Sequence, residues 1–128
     1  MGRTANGSIF LRLFWWLPFG SAPEISPQEL AKRMKRAGKK LQILDVRTDH
    51  EWQQGHLTGA VHVPLASLAS RLGSLPFKPD APVVAVCLSG HRSVPAVRLL
   101  RLHGYESAVQ LAGGMLAWRR ASLPEKRT

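Results

Sequence analysis

The stretch Pro82-Val83-Val84-Ala85-Val86-Cys87-Leu88-Ser89-Gly90-His91-Arg92-Ser93 decides the fold of this chain. Its first half is an uninterrupted apolar run rich in β-branched residues, which is typical of a strand buried on both faces of a parallel sheet. Its second half is a short loop containing a glycine, and after it apolar residues punctuate a helix that Gly104 ends. The succession of strand, loop and helix predicts that Cys87 lies at the carboxyl end of the central strand.

Alternating strand and helix patterns continue on both sides of this unit. Short apolar runs of strand length occur over 41–46, 60–63 and 107–111. Helical patterns, bounded by residues that favour helix starts and ends, cover 27–37, 48–54, 65–72 and 114–121. Strands separated by helices predict an α/β fold, a three-layer sandwich in which helices flank a mainly parallel central sheet.

Two of the predicted helices have recognisable start signals. Ser26 with Glu29, and Thr48 with Glu51, have the spacing of a capping box, in which the two side chains bond each other's backbone N–H groups. Gly38 stands where the first of these helices needs a left-handed residue at its end.

The chain divides into one domain and two tails. We assign the domain to residues 23–123, because 128 residues is the size of one ordinary domain. Residues 1–22 contain an apolar, aromatic segment over 9–19, which is interrupted by Arg12 and too short to span a hydrocarbon core of about 30 Å. We expect this segment either to cover an apolar groove of a protein or to make a peripheral membrane contact. Residues 124–128 are expected to be a frayed tail.

Charge and cysteine content narrow the function classes. The 18 lysines and arginines against 8 aspartates and glutamates give a formal charge of +10. Six of the basic residues lie between positions 32 and 40 without interleaved aromatics, so we interpret them as the solvated face of a helix and do not expect nucleic acid as a partner. The single cysteine cannot form an internal disulfide, which favours a reducing compartment and a cytoplasmic location.

The loop after the central strand carries the chemistry. Ligands of open parallel sheets bind beyond the carboxyl ends of the strands, and this rule places Cys87 at a ligand site. Backbone N–H groups of a tight loop, together with the dipole of the following helix, stabilise an anion such as a thiolate. Gly90 permits a positive φ angle, and Arg92 supplies a cation for an oxyanion. These residues predict a nucleophilic cysteine; the alternative is an inert, buried thiol.

The chain contains three separated motifs, over 45–64, 87–93 and 113–118, and together they resemble the rhodanese family of sulfurtransferases. The loop from Cys87 to Ser93 looks like that family's active-site loop, and the segment from Gly113 to Trp118 resembles its C-terminal glycine-pair and tryptophan motif. The remaining matching positions are Asp45-Val46-Arg47, Glu51-Trp52, Gly55-His56-Leu57, Gly59-Ala60 and Pro64. Phosphatases that share the fold need a longer loop, because their arginine comes one position later than Arg92.

The resemblance implies a thiosulfate sulfurtransferase of the rhodanese type. Cys87 would take a sulfane sulfur from thiosulfate or a related anionic donor, become a persulfide, and pass the sulfur to cyanide or a thiol, with no cofactor. The residues that would cradle the persulfide are Leu88, Ser89, Gly90, His91, Arg92 and Ser93, with Arg92 on the sulfonate end of thiosulfate. The alternative is a noncatalytic rhodanese-like module that binds a partner or relays sulfur.

Polar residues near the neighbouring strand have two interpretations. Arg47 is either a second substrate contact or the partner of Asp45 or Glu51 in a structural salt bridge, with Asp45 and Glu51 supporting the site. No metal is expected, because the histidines lack cysteine or carboxylate neighbours at ligand spacing.

Overall fold

The computed structural model of the protein describes residues 22–37 and 41–127. The strands in this part of the chain are β1 (Glu24–Ile25), β2 (Gln42–Asp45), β3 (Val61–His62), β4 (Val83–Val86) and β5 (Val109–Leu111). The α-helices are α1 (Pro27–Ala37), α2 (Asp49–Gln54), α3 (Leu65–Arg71), α4 (Ser93–Leu102) and α5 (Gly114–Arg120), and a 3-10 turn over Leu72–Ser74 follows α3.

The strands form one sheet in the order β1-β5-β4-β2-β3, and every pair in it is parallel. The apolar strand β4 lies at the centre, between β5 and β2. Because neighbouring strands all run in the same direction, their carboxyl ends meet at one edge of the sheet, and the loop after β4 opens at that edge. The predicted α/β sandwich with a central parallel sheet is confirmed.

The hydrophobic core consists of two clusters, one on each face of the sheet. Side chains of β4 and of Cys87, which directly follows it, alternate between them: Val83, Ala85 and Cys87 belong to the first cluster, and Val84 and Val86 to the second. The first cluster is closed by residues of α3 and α4 and the second by residues of α1 and α5, including Leu68 and Leu100 on one side and Leu30, Met115 and Trp118 on the other. Cys87 therefore directly follows a strand whose four residues are all buried.

The start signals of two helices behave differently. Thr48 and Glu51 form a complete capping box at the start of α2. At α1, the Ser26 hydroxyl accepts the Glu29 N–H at 3.1 Å, while the Glu29 carboxylate accepts from Arg33. The predicted helix end at Gly38 lies outside the described residues.

Strand β1 was not predicted, because two residues give no readable periodicity. It pairs with β5, with Glu24 opposite Gln110 and Ile25 opposite Leu111. Only the presence of β5 makes this short segment a strand, and it extends the sheet beyond β5 by one strand.

The described part of the C-terminal tail contacts the domain, and the expectation that the tail is frayed stays a prediction. His56 and Lys126 exchange two backbone hydrogen bonds, at 2.8 and 2.7 Å. The Trp118 indole N–H donates to the Pro124 carbonyl at 2.9 Å, and the Glu125 carboxylate pairs with an arginine of α5. These contacts hold the tail on the domain as far as Lys126.

The apolar segment over 9–19 lies outside the described residues, so the expectation of a groove or membrane contact stays a prediction. Within the part of the chain that the structure describes, no helix is both long and apolar enough to cross a membrane.

Candidate active site

Cys87 follows β4 directly, and the loop after it bends back over the sulfur. The Gly90 N–H donates to Cys87 Sγ at 2.9 Å. Gly90 adopts a φ of 99°, in the region where a side chain would strain the backbone, so the glycine allows its N–H to point at the sulfur. Cys87 has no solvent-exposed surface. Sγ is thus held by a directed donor beneath the surface of the loop.

Helix α4 begins at the same place and adds to this environment. Its first residue is Ser93, and the distance between Cys87 Sγ and Ser93 Oγ is 3.5 Å. The N-terminus of a helix of this length carries partial positive charge, which favours a negative charge on a nearby sulfur. The loop donor and the helix terminus therefore act on Sγ in the same direction.

The N-terminus of α5 fixes the loop from the other side. The N–H groups of Met115 and Leu116 donate to the carbonyls of Cys87 and Leu88, at 2.8 and 2.9 Å. A Cβ on Gly114 would lie 2.4 Å from the Cys87 carbonyl oxygen, and Gly114 has a φ of 61°. Only glycine lets the two backbones approach this closely, which is the physical reason for the second glycine of the Gly113-Gly114 pair.

Arg92 lies at the rim of the loop and is paired with Glu51. Its two terminal nitrogens donate to the two Glu51 carboxylate oxygens, both at 2.7 Å. The hydrogen bond from Arg92 lowers the pKa of Glu51 to about 2, and Thr48 adds to the effect. The same bond raises the pKa of Arg92, with smaller contributions from the charges of Cys87 and Asp45. The pair ties α2 to the loop.

Arg47 lies in the interior, 1% exposed, beside Asp45, which is buried to the same degree. The guanidinium donates to the Asp45 carboxylate at 2.8 Å and to the Gly55 carbonyl at 2.6 Å. The salt bridge to Asp45 is the interpretation that the geometry bears out, while Glu51 pairs with Arg92 instead. The Arg47 guanidinium is thus held by Asp45 and Gly55, and its predicted part in substrate binding stays a prediction.

The side chains of Leu88, Ser89 and His91 make no hydrogen bond to the sulfur in the described part of the chain. Ser89 and His91 are exposed, and the Ser89 hydroxyl lies 2.9 Å from His91 Nδ1. Leu88 is half-buried and packs against the second core cluster. Among the loop N–H groups of described residues, Gly90 is the one that contacts Sγ here.

Sequence reasoning missed one polar partner of the site. Gln110 is 5% exposed on β5, and its side-chain oxygen accepts a hydrogen bond from the Ser93 hydroxyl. The signal was available, because a glutamine in the otherwise apolar run from Ala108 to Leu111 is unusual for a buried strand. Its partner in space could not be read from the sequence, since the two residues lie 17 positions apart.

Comparison with protein families matches residues 26–121 to the rhodanese-like domain. The chain belongs to the rhodanese-like family. This match covers the strand, the cysteine loop and the glycine pair that build the site, and it confirms the resemblance predicted from the three motifs.

Rhodanese-like relatives include sulfurtransferases of similar and of larger size. A sulfurtransferase of Allochromatium vinosum is 35% identical over 101 residues, which cover 79% of this chain and 92% of that protein. A probable adenylyltransferase/sulfurtransferase of Mycobacterium tuberculosis, MoeZ, is 34% identical over 101 residues, or 79% of this chain and 26% of that protein. Across several of the larger relatives, this chain spans between 26% and 51% of their length.

A solved structure supports the same assignment. The structure of a human single-domain sulfurtransferase has a TM-score of 0.69 to this chain and is 28% identical; the alignment covers 78% of this chain and 97% of that one. The rhodanese-like fold is therefore present in this chain at full domain length.

Proposed function

We propose that this rhodanese-like domain is a thiosulfate sulfurtransferase that carries sulfur as a persulfide on Cys87. The observation that carries the proposal is the hydrogen bond from the Gly90 N–H to Cys87 Sγ, made at the start of α4. A directed N–H donor and a helix N-terminus stabilise a thiolate, and the thiolate is the nucleophilic form of cysteine. The names of the relatives point to the same class of reaction.

The reaction has two balanced steps. In the first, the Cys87 thiolate attacks the sulfane sulfur of thiosulfate; an S–S bond forms on Cys87, and the S–S bond of thiosulfate breaks as sulfite leaves with the electron pair. In the second, cyanide or a thiolate attacks the outer sulfur and Cys87 leaves as thiolate. Neither step needs a general base, so the imidazole of the exposed His91 has no assigned part in it.

Loop residues take the roles of persulfide cradle and anion contact. The N–H groups from Leu88 to Arg92 would face the outer sulfur, and Arg92 would bind the sulfonate end of the donor. Glu51 accepts two of the five guanidinium N–H donors of Arg92, so three remain for an anion. We assign Asp45 and Arg47 to the frame of the site, because both are buried against each other.

The burial of Cys87 adds one requirement. Because the side chain has no exposed surface, a donor reaches Sγ only when the atoms that cover it move. We infer that a small donor such as thiosulfate loads Cys87 faster than a bulky organic persulfide of equal reactivity.

Intact mass after incubation with thiosulfate tests the proposal. The protein should gain the mass of one sulfur atom, and cyanide should remove it again. The Cys87→Ser variant should gain nothing, because the chain has no other cysteine. An unchanged mass of the native protein with several donors would overturn the assignment.

The second candidate is a noncatalytic rhodanese-like module, and the complete burial of Cys87 favours it. The same domain forms part of larger proteins, such as an HTH-type transcriptional regulator of Mycobacterium tuberculosis, of which the matched region of this chain covers 43%. A module of this kind would take up no sulfur from thiosulfate. Its alkylation rate without denaturant would be the same before and after incubation with thiosulfate. The mass experiment therefore separates the two candidates.

A further inference from the structure

The side chains behind Cys87 form a hydrogen-bonded chain that the proposed reaction leaves unused. Ser93 Oγ lies 3.5 Å from Cys87 Sγ and donates to the Gln110 side-chain oxygen. The Gln110 side-chain nitrogen in turn donates to the Glu24 carboxylate at 3.3 Å. This series of hydrogen bonds connects the sulfur, through Ser93 of α4 and Gln110 of β5, to the edge strand β1.

Glu24 determines which way the Gln110 amide faces. A carboxylate only accepts hydrogen bonds, so the NH₂ group of Gln110 faces Glu24 and the carbonyl oxygen faces Ser93. The hydroxyl of Ser93 has a single proton, and an amide oxygen is a stronger acceptor than a neutral thiol sulfur. In this arrangement Ser93 gives its proton to Gln110, its shorter contact, while the Gly90 carbonyl at 3.3 Å is a second, longer acceptor, and an oxygen lone pair of Ser93 faces Cys87.

This arrangement affects the states of Cys87 unequally. A thiol can donate its own proton to the Ser93 lone pair, but a thiolate needs a donor and meets a lone pair instead. In the persulfide the negative charge lies on the outer sulfur, so Sγ no longer needs the proton of Ser93. Gln110 therefore disfavours the unloaded thiolate relative to the persulfide.

We propose that Gln110 is a positioning residue that shifts the sulfur-loading equilibrium toward the persulfide by competing with Cys87 for the hydroxyl proton of Ser93. The inference rests on the proposed persulfide function and identifies what tunes it. Gln110 touches neither donor nor acceptor; it acts through Ser93, which is fully buried.

The loading equilibrium between thiosulfate and sulfite tests this inference. The native protein and the Gln110→Leu variant are equilibrated with one fixed ratio of the two anions at pH 8, and the persulfide-to-thiol ratio is read by intact mass. We expect the ratio to fall about three- to tenfold in Gln110→Leu, because the Ser93 hydroxyl then loses its shorter acceptor, and a charged thiolate competes for the proton only with the Gly90 carbonyl at 3.3 Å. Equal ratios would overturn the inference, whereas absence of any mass gain in the native protein would overturn the proposed function.

Two further variants separate positioning from general damage. In a Ser93→Ala background, Gln110→Leu should change the ratio no further, because the proton under competition is gone. Glu24 is an exposed residue of β1, and Glu24→Ala should also lower the persulfide-to-thiol ratio, but by less. The Gln110 amide is still present in this variant and is only no longer held in one orientation. An equal effect of Gln110→Leu with and without Ser93 would contradict the inference and indicate a packing defect.

Alkylation gives a readout that requires no sulfur donor. The rate of reaction with iodoacetamide at fixed pH follows the thiolate fraction of Cys87. This rate should be about threefold or more higher in Gln110→Leu than in the native protein. It should not rise when Gln110→Leu is added to Ser93→Ala. A rate that is unchanged in Gln110→Leu would overturn the inference whether or not the native protein takes up sulfur.

Discussion

Two arginine–carboxylate pairs stand within the same part of the site, and their surroundings differ. The pair of Arg47 with Asp45 is 1% exposed on both sides. The pair of Arg92 with Glu51 has exposed side-chain fractions of 35% and 22%. Both have short hydrogen bonds, of 2.8 and 2.7 Å, so distance alone does not distinguish them.

Burial separates their roles. Removing one partner of a buried pair leaves an uncompensated charge in the interior, whereas a partly exposed pair can exchange its partner for water or for another anion. The Arg47 pair also bonds the Gly55 carbonyl and so connects β2 with the end of α2. We therefore expect the first pair to act on folding and the second on donor binding.

Replacement of Arg47 should have the largest effect. Arg47→Met leaves Asp45 buried without its cation and should lower the free energy of unfolding by about 3–5 kcal/mol. Denaturant titration followed by circular dichroism measures the loss. The double variant Asp45→Asn with Arg47→Met should recover part of this loss, because it has no uncompensated buried charge. A loss below about 1 kcal/mol in Arg47→Met alone would show that the buried pair does not stabilise the fold.

Replacement of Arg92 should affect the donor more than the fold. Arg92→Ala removes a charged contact made in both the ground and transition states, so the KM for thiosulfate should rise about tenfold while kcat changes less. Stability should change by no more than about 1 kcal/mol. The matched control is Arg120→Ala, an exposed arginine of α5, which alters the net charge equally. An unchanged KM would show that backbone N–H groups alone, and not Arg92, bind the anionic end of the donor.

Glu51→Gln should have a smaller effect, in the opposite direction. The amide keeps an oxygen for the Thr48 N–H, which donates to Glu51 at 3.0 Å, but it lacks the charge that attracts Arg92. Arg92 then binds an anion without competition, and the KM for thiosulfate should fall about two- to threefold. A raised KM in steady-state assays would show instead that the native pair holds Arg92 in its binding position.

The pH dependence of the stability that the pair of Arg92 with Glu51 contributes should be the smallest effect. Because the pKa of Glu51 is lowered from 4.5 to about 2, mainly by Arg92, its stabilisation is present above pH 4.5 and is lost as the pH falls toward 2. The difference in unfolding free energy between the native protein and Glu51→Gln should be constant from pH 6 to 8, at no more than about 1 kcal/mol, and shrink at lower pH. A difference that grows on acidification would contradict the assignment.

Local signals in the sequence predicted much of the fold and part of the site. The capping box of Thr48 and Glu51, the glycine at position 90 and the apolar run of β4 act over a few residues, so they are readable without a partner. The partners of Arg92 and Ser93 were not predictable, since they lie 41 and 17 positions away. The contacts of the tail from Pro124 to Lys126 were not predicted for the same reason, because they are made to His56 and Trp118.

The sequence by itself determined the layered α/β fold, the family and the place of Cys87 at the end of the central strand, because periodicity and loop composition are properties of adjacent residues. The tertiary structure alone decided which arginine is buried, which carboxylate each one binds, and that Gln110 of β5 stands behind the sulfur. Those features depend on burial and on contacts between strands and helices distant in the chain. Burial sets the energy of a charge, so a residue's type does not reveal its role until its surroundings are known.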